Sequence, residues 1–286
     1  MTAQVIDGRA LATRFREDVA RCVGALKREG SPVRLDAVIA DEPGGSGRLY
    51  ADNQGKGCEE LGIEYRLHEL ASDSDTDAIL DQIRKLNSDP LVTAMMVHLP
   101  LPDGVDTFTI QSAIAPEKDV EGVNPVNIGN IVYGRSSLVP CTALAAVKVI
   151  ESTGIELQGK VCVIVGASNI VGKPLAVLLM RAEATVVSCN VYTEDKCSFT
   201  GNADVIIAAA GVPGLITAEM VREGAVVVDV GTTRVTDAQT GKTRTVGDVD
   251  FEGVSGVAGW ITPVPGGVGP VTVAMLLTNV VEAAQR

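Results

Sequence analysis

Apolar residues recur at Leu11, Ala12, Phe15, Val19, Cys22, Val23 and Leu26, the three-and-four spacing of one helix face, so Asp7 to Glu29 reads as a helix. Gly30 ends the pattern, as a glycine past a last turn does. Val33 to Ala40 reads as a strand, Arg48 to Leu61 as a helix closed by Gly62, and Ile63 to Leu70 alternates as a strand. Asp75 to Leu86 predicts a helix, Val92 to Leu99 a strand, and Phe108 to Ile114 a short helix. Asp41 to Gly47 is dense in turn formers, and Pro116 to Pro125 is a polar loop. Pro140-Cys-Thr142 opens a helix through Val149 that Gly154 stops, and a domain boundary is placed near there.

The second half alternates more regularly. Val161 to Val165 is too short for a buried helix and rich in β-branched residues, the pattern of a central parallel strand. Gly166 ends it and Leu175 to Met180 follows as a helix. Ala184 to Cys189, Val205 to Ala209, Ala218 to Val221 and Ala225 to Val230 continue the alternation, which predicts an α/β fold with a doubly wound parallel sheet. Val235 to Val246, with Gly241 inside it, reads as a surface hairpin or loop. Ile261 to Pro270 carries too many prolines and glycines for regular structure, and a last apolar helix is expected from Val271 to Ala284.

Composition narrows the function. The chain of 286 residues has room for one large or two ordinary domains, and its 46% apolar content supplies their cores. The net charge of −12 argues against nucleic-acid and anionic-membrane partners, though not against a small anionic ligand held by local groups. No apolar run has spanning length, and no signal segment follows Met1. The cysteines Cys22, Cys58, Cys141, Cys162, Cys189 and Cys197 are scattered without a C-x-x-C, so reduced thiols of a cytoplasmic protein are expected. His68 and His98 are too few and too isolated for a zinc site, and no metal is expected.

Three places offer chemistry. Strand, Gly166, small polar residues and helix form the unit that sets backbone N–H groups and a helix N-terminus against a phosphate. Gly166 and Gly172 depart from the usual G-x-G-x-x-G, so by spacing alone an ordinary βα turn explains them as well. Tyr50 and Gln54 stand four apart and share a helix face, whereas Lys56 points elsewhere. His98 falls at the carboxyl end of a strand, where open α/β sheets place ligands.

Ile261-Thr-Pro-Val-Pro-Gly-Gly-Val-Gly-Pro-Val-Thr272 resembles the C-terminal signature of methylenetetrahydrofolate dehydrogenase/cyclohydrolase enzymes. Leu99-Pro-Leu-Pro102, Pro116-Glu-Lys-Asp-Val120, Pro140-Cys-Thr142, Gly166 to Pro174, Asp229-Val-Gly231 and Gly247-Asp-Val-Asp250 resemble the family's other motifs, in its order and across the whole chain. The resemblance implies an N-terminal three-layer α/β folate domain of residues 1–140, completed by a returning helix of residues 270–286. It also implies a Rossmann-like domain of residues 141–269, a homodimer, a reduced folate as substrate and a nicotinamide cofactor. The family oxidises 5,10-methylenetetrahydrofolate by hydride transfer, then hydrolyses the methenyl product to 10-formyltetrahydrofolate. The resemblance sets the folate against Tyr50, Gln54, Val97, His98, Leu99, Glu121 and Pro265-Gly-Gly-Val-Gly269. It sets the nucleotide against Gly166, Ala167, Ser168, Ile170, Gly172, Asn190, Val191 and Thr232.

The departures fall on functional positions. Gln54 stands where the family has the lysine of the hydrolysis, His98 where it has a glutamine, Glu121 where it has the aspartate that holds the pterin, and Asn124 where it has a histidine. A carboxamide is no general base near neutral pH, so the cyclohydrolase step is expected to be weak or lost. His98 either replaces the lysine as a base or is a hydrogen-bonding substitute for glutamine, the latter being preferred. Ala167 replaces an arginine, and Val191 and Tyr192 bring no charge, so NAD is expected rather than NADP. Arg181 lies further along the helix, and Asn190, at a strand end, is placed to reach ribose hydroxyls. The leading expectation is thus a dehydrogenase with Tyr50, Gln54, His98 and Glu121 at its centre. The alternatives are a bifunctional enzyme and a catalytically silent homologue that binds folate or nucleotide.

Overall fold

The computed structural model describes residues 2–42, 46–135, 138–236 and 241–286. In chain order, β1 (Gln4–Val5) leads to α1 (Gly8–Arg28), β2 (Arg34–Ala40), α2 (Ser46–Glu60), β3 (Glu64–Leu70), α3 (Thr76–Ser88), β4 (Ala94–Val97), α4 (Thr107–Ala113), α5 (Pro125–Val132) and α6 (Cys141–Glu151). There follow β5 (Val161–Val165), α7 (Gly172–Arg181), β6 (Thr185–Cys189), α8 (Lys196–Thr200), β7 (Val205–Ala208), a 3-10 turn at Ala218–Met220 and β8 (Val226–Asp229). The chain ends with β9 (Thr233–Thr236), β10 (Thr243–Val246), α9 (Phe251–Ser255), β11 (Trp260–Ile261) and α10 (Val268–Ala284).

The chain divides into two compact units, one of Met1–Arg14 with Thr142–Met275, the other of Phe15–Cys141 with Leu276–Arg286. The divisions fall inside α1 and α10 and after the first residue of α6. In the first unit six parallel strands lie in the order β1-β11-β8-β7-β5-β6. The chain winds outward from β5 in both directions, so β5 is the switch point of a doubly wound sheet. Val163, Val165, Ile206, Ala208, Val227 and Ile261 pack one core cluster of this sheet. In the second unit three parallel strands lie in the order β3-β2-β4. Val38, Ala40, Ile79, Ile83, Met95 and Val97 share a core cluster with Ile110 and Ile114 of the α4 segment.

Several short elements escape the hydrophobic pattern. β1 and β11 are two-residue strands whose length carries no period. α5 lies in a stretch left without an element, although its start has a cap: Asn124 Oδ1 accepts from the Val126 N–H at 2.8 Å, and Pro125 takes the first helical position. α10 begins at Val268, three residues earlier than expected, and Ile261 belongs to β11 rather than to an irregular segment. Pro270 sits in the first turn of α10, where a missing N–H costs nothing. The expected hairpin is β9 paired antiparallel with β10; its residues 237–240, and 43–45 of the turn-rich loop, lie outside the described residues. Cys58, Cys141, Cys162 and Cys189 are buried free thiols, Cys22 is half-buried and Cys197 is exposed.

β2 buries all seven of its residues, yet two are charged. Arg34 donates to Asp36 through Nε at 2.6 Å and Nη2 at 3.0 Å, and reaches Asp89 at 3.1 Å. His68 Nε2 lies 2.7 Å from Asp36 Oδ1, and Gln82 Nε2 lies 3.2 Å from His68 Nδ1. Lys118 Nζ donates to the carbonyls of Leu86, Asn87 and Asp89 at the carboxyl end of α3. Removing the carboxylate would leave Arg34 buried and unmatched. Asp36→Ala is therefore expected to cost about 3–5 kcal/mol, read as a lower urea midpoint by circular dichroism; an unchanged midpoint would show that the network is dispensable.

Candidate active site

In the second unit α2 carries Tyr50 and Gln54 one helical turn apart, and Lys56 is exposed on another face. Gln54 Oε1 is buried and has no hydrogen-bond partner among the described residues. His98 follows β4, its backbone N–H held by the Val38 carbonyl at 2.8 Å. Val97 before it is buried and Leu99 after it is exposed. The Tyr50 and His98 rings meet edge to face, with centroids 5.8 Å apart and planes at 78°.

Glu121 is presented by a loop that a second carboxylate holds. Asp119 is buried and accepts from the Gly122 N–H at 3.2 Å, the Asn124 N–H at 2.7 Å and Asn127 Nδ2 at 3.0 Å. Gly122 has φ +69°, and a Cβ there would sit 2.3 Å from the Val139 carbonyl carbon, so the loop lies flat on the 139–141 segment. Asn279 of α10 clamps both: its Nδ2 donates to the carbonyls of Val120 at 2.8 Å and Val139 at 2.9 Å. Cys141 donates its thiol to the Val120 carbonyl at 3.2 Å. Asn124, expected at a histidine position, spends its side chain on capping α5 and on the Ser112 and Ile114 carbonyls. Sequence reasoning passed over Asp119, Asn127, Asn279 and Cys141 as site-builders, because their partners are brought in by folding.

Burial sets the protonation of this cluster. It pushes the Glu121 carboxyl up to about 8, with the charge of Asp119 adding to the effect. Glu121 Oε2 is closed off from solvent and has no hydrogen-bond partner among the described residues. Burial also raises the Tyr50 phenol, with smaller contributions from Glu121 and Cys141. His98, 3% exposed, is pushed by burial down to about 4, so its imidazole is neutral at neutral pH. Tyr50, Gln54, His98 and Glu121 therefore offer hydrogen bonds, and Glu121 a transferable proton. Two unpartnered acceptor atoms, Gln54 Oε1 and Glu121 Oε2, suit a flat ligand with N–H groups on its edge.

The first unit holds the other expected residues. Gly166 has φ +125° at the end of β5; a Cβ there would meet the Ala209 carbonyl oxygen at 2.1 Å. A Cβ on Gly172 would meet the Gly166 carbonyl oxygen at 2.0 Å, so both glycines are required for α7 to start against the strand end. Val171 precedes α7 without a side-chain cap, and Ser168, Asn169 and Ile170 are exposed beside it. This arrangement fits a dinucleotide phosphate. Ala167 is half-buried, and Asn190, Val191, Tyr192 and Thr232 are exposed. Asn190 Oδ1 already accepts from the Tyr192 N–H at 2.9 Å, which leaves its amide group for a ligand. Lys173, overlooked in the sequence, stands at this turn with Nζ 2.7 Å from Asn169 Oδ1. Arg181 lies in the last turn of α7.

Pro265-Gly-Gly-Val-Gly269 also belongs to the first unit. Gly266 has φ +109°, and a Cβ on Gly8 would lie 1.8 Å from the Gly267 oxygen, so the loop and the start of α1 touch backbone to backbone. Behind it Asp229 accepts from the N–H groups of Gly231, Asp248 and Val249 at 2.9–3.0 Å, and burial pushes its carboxyl up to about 6. Asp248 in turn accepts from the Ala210 and Gly211 N–H groups. Among the described residues no cluster is placed to hold a metal ion, and no helix is long and apolar enough to cross a membrane.

The Glu121 carboxyl titrates near 8 folded against ~4.3 unfolded. Its protonated form is favoured by the fold, so its contribution is complete below the unfolded value and is lost as pH rises through about 8. Denaturation between pH 4 and 9 should show a shallower loss of stability in Glu121→Gln than in the parent; identical slopes would contradict the assignment.

Models of two domains match the chain: the catalytic domain of tetrahydrofolate dehydrogenase/cyclohydrolase over residues 6–121, and its NAD(P)-binding domain over residues 140–286. The Bifunctional protein FolD of Moorella thermoacetica is 46% identical over 286 residues, covering all of both chains. The structure of the bifunctional FolD enzyme of Campylobacter jejuni superposes with a TM-score of 0.93 at 41% identity, over 99% of each chain. That of the Trypanosoma brucei dehydrogenase-cyclohydrolase, complexed with NADP and an inhibitor, has a TM-score of 0.92 at 36% identity, over 100% of this chain and 98% of that one. With both domains matched and relatives aligned from end to end, the chain belongs to the tetrahydrofolate dehydrogenase/cyclohydrolase family.

Proposed function

We propose that this chain, as a cytoplasmic homodimer, oxidises 5,10-methylenetetrahydrofolate to the methenyl form and hydrolyses that product to 10-formyltetrahydrofolate. The observation that carries the reading is the end-to-end identity to a protein named bifunctional, and the site chemistry is compatible with it. A bound nicotinamide supplies the hydride acceptor. Tyr50 offers its ring to the flat pterin, and Gln54 and His98 hold it by hydrogen bonds. Glu121 does the proton work: a carboxyl near 8 is matched to general acid–base transfer at neutral pH. His98, near 4, is not. This departs from the expectation that the hydrolysis is lost along with the lysine.

Gln54 favours a second reading, a dehydrogenase that leaves hydrolysis to another enzyme. Paired assays separate the two. One follows reduced nicotinamide formed from methylenetetrahydrofolate, the other the loss of methenyl absorbance. On the bifunctional reading the hydrolysis is measurable and falls about a hundredfold in Glu121→Gln. On the second it is absent, and Gln54→Lys creates it. Failure of both reactions, with nucleotide still bound, would leave a silent binder.

NAD is the proposed oxidant, because Ala167, Val191 and Tyr192 bring no positive charge to the turn, and Lys173 there is engaged by Asn169. The Trypanosoma brucei relative carries NADP, which makes the choice a direct test. The Michaelis constant for NAD should be the lower of the two; a lower one for NADP would reverse the assignment.

A further inference from the structure

Tyr65 has no part in the site described so far. It lies on β3, half-buried, and its Oη stands 3.4 Å from His98 Nε2. The other face of the contact is α2. A Cβ added at Gly55 would fall 2.9 Å from Tyr65 Cδ1 and 3.1 Å from Cε1, so the ring lies where any other residue at 55 would stand. Glycine inside a helix costs about 1 kcal/mol relative to alanine, and Gly55 is in the middle of α2, beside Gln54. The helix accepts that weakness and receives an aromatic ring against its backbone.

A neutral imidazole has one nitrogen that donates and one that accepts, and the hydrogen bond made by one nitrogen decides the state of the other. Tyr65 from β3 and Tyr50 from α2 both face His98. Burial holds the Tyr65 phenol above its ordinary range, so it keeps its proton and can donate. We infer that Tyr65 is a positioning residue of this enzyme: its hydroxyl donates to His98 Nε2, places the imidazole proton on Nδ1, and so makes His98 a fixed hydrogen-bond donor, with Gly55 as the gap that admits the ring. His98 then does what a carboxamide N–H does at that strand end, rather than acting as a base. The catalytic consequence rests on the folate reading above; the tautomer does not.

The chain has two histidines, which makes the test direct. Long-range proton–nitrogen correlation spectra of 15N-histidine-labelled protein at pH 7, with His68→Gln to assign the second ring, report which nitrogen carries the proton. The parent should show His98 protonated on Nδ1, and Tyr65→Phe should move it toward the Nε2–H form. In the oxidation assay kcat/KM for methylenetetrahydrofolate should fall about five- to tenfold in Tyr65→Phe. In a His98→Gln background the same change should alter kcat/KM less than twofold. An Nε2–H signal in the parent would overturn the inference, as would an equal cost of Tyr65→Phe with glutamine or histidine at 98, which would mark Tyr65 as packing alone. A parent that does not turn over the folate would overturn the functional reading, while its spectrum would still decide the tautomer.

Discussion

Loops that run beside a buried parallel sheet carry N–H groups with no partner in it, and here buried carboxylates take them. Asp119, in the loop between α4 and α5, does so with two backbone N–H groups and an Asn127 amide. Asp229, the last residue of β8, and Asp248, two residues past β10, do so with five backbone N–H groups between them. A Cβ on Gly231 or Gly247 would stand 2.1 Å or 1.9 Å from the opposing carboxylate, so these glycines and carboxylates fit only as a set. Each unit thereby holds in place a loop that carries residues of the proposed sites. Rigid placement is what hydride transfer asks of a protein.

The same burial that makes the carboxylates good clamps governs the site. Glu121 lies two residues past Asp119 but lacks its ring of N–H donors. Asp119 is raised by burial and drawn back by its donors, whereas Glu121 has burial and a neighbouring carboxylate, both acting upward. One loop thus holds two carboxyl groups in opposite surroundings, one ringed by N–H donors and one set beside a carboxylate. Burial and the neighbouring Asp119 charge together favour the protonated carboxyl at 121.

Much of the fold was legible because local periods announce it. Val161 to Val165 is short and β-branched, Gly166 and Gly172 bracket the turn, and the Tyr50–Gln54 face follows from 3.6 residues per turn. The two-residue strands β1 and β11 were not, since a period needs length. α5 was passed over because eight residues beginning Asn124-Pro125 look like the continuation of a polar loop. Nor did any pattern point to Tyr65, which meets a residue 33 positions away, or to Asn279, which meets one 159 positions away.

The sequence by itself determined the family, the alternation of strands and helices, the glycine turn and the residue types at each functional position, because these are written in neighbours and in motifs. Only the tertiary structure decided what those residues are chemically. His98 and Glu121 would titrate near ~6.5 and ~4.3 in an open chain. Folding separates them in opposite directions, to about 4 and about 8. The cause is desolvation, which disfavours the charged form of each, and desolvation depends on what packs around a side chain rather than on what precedes or follows it.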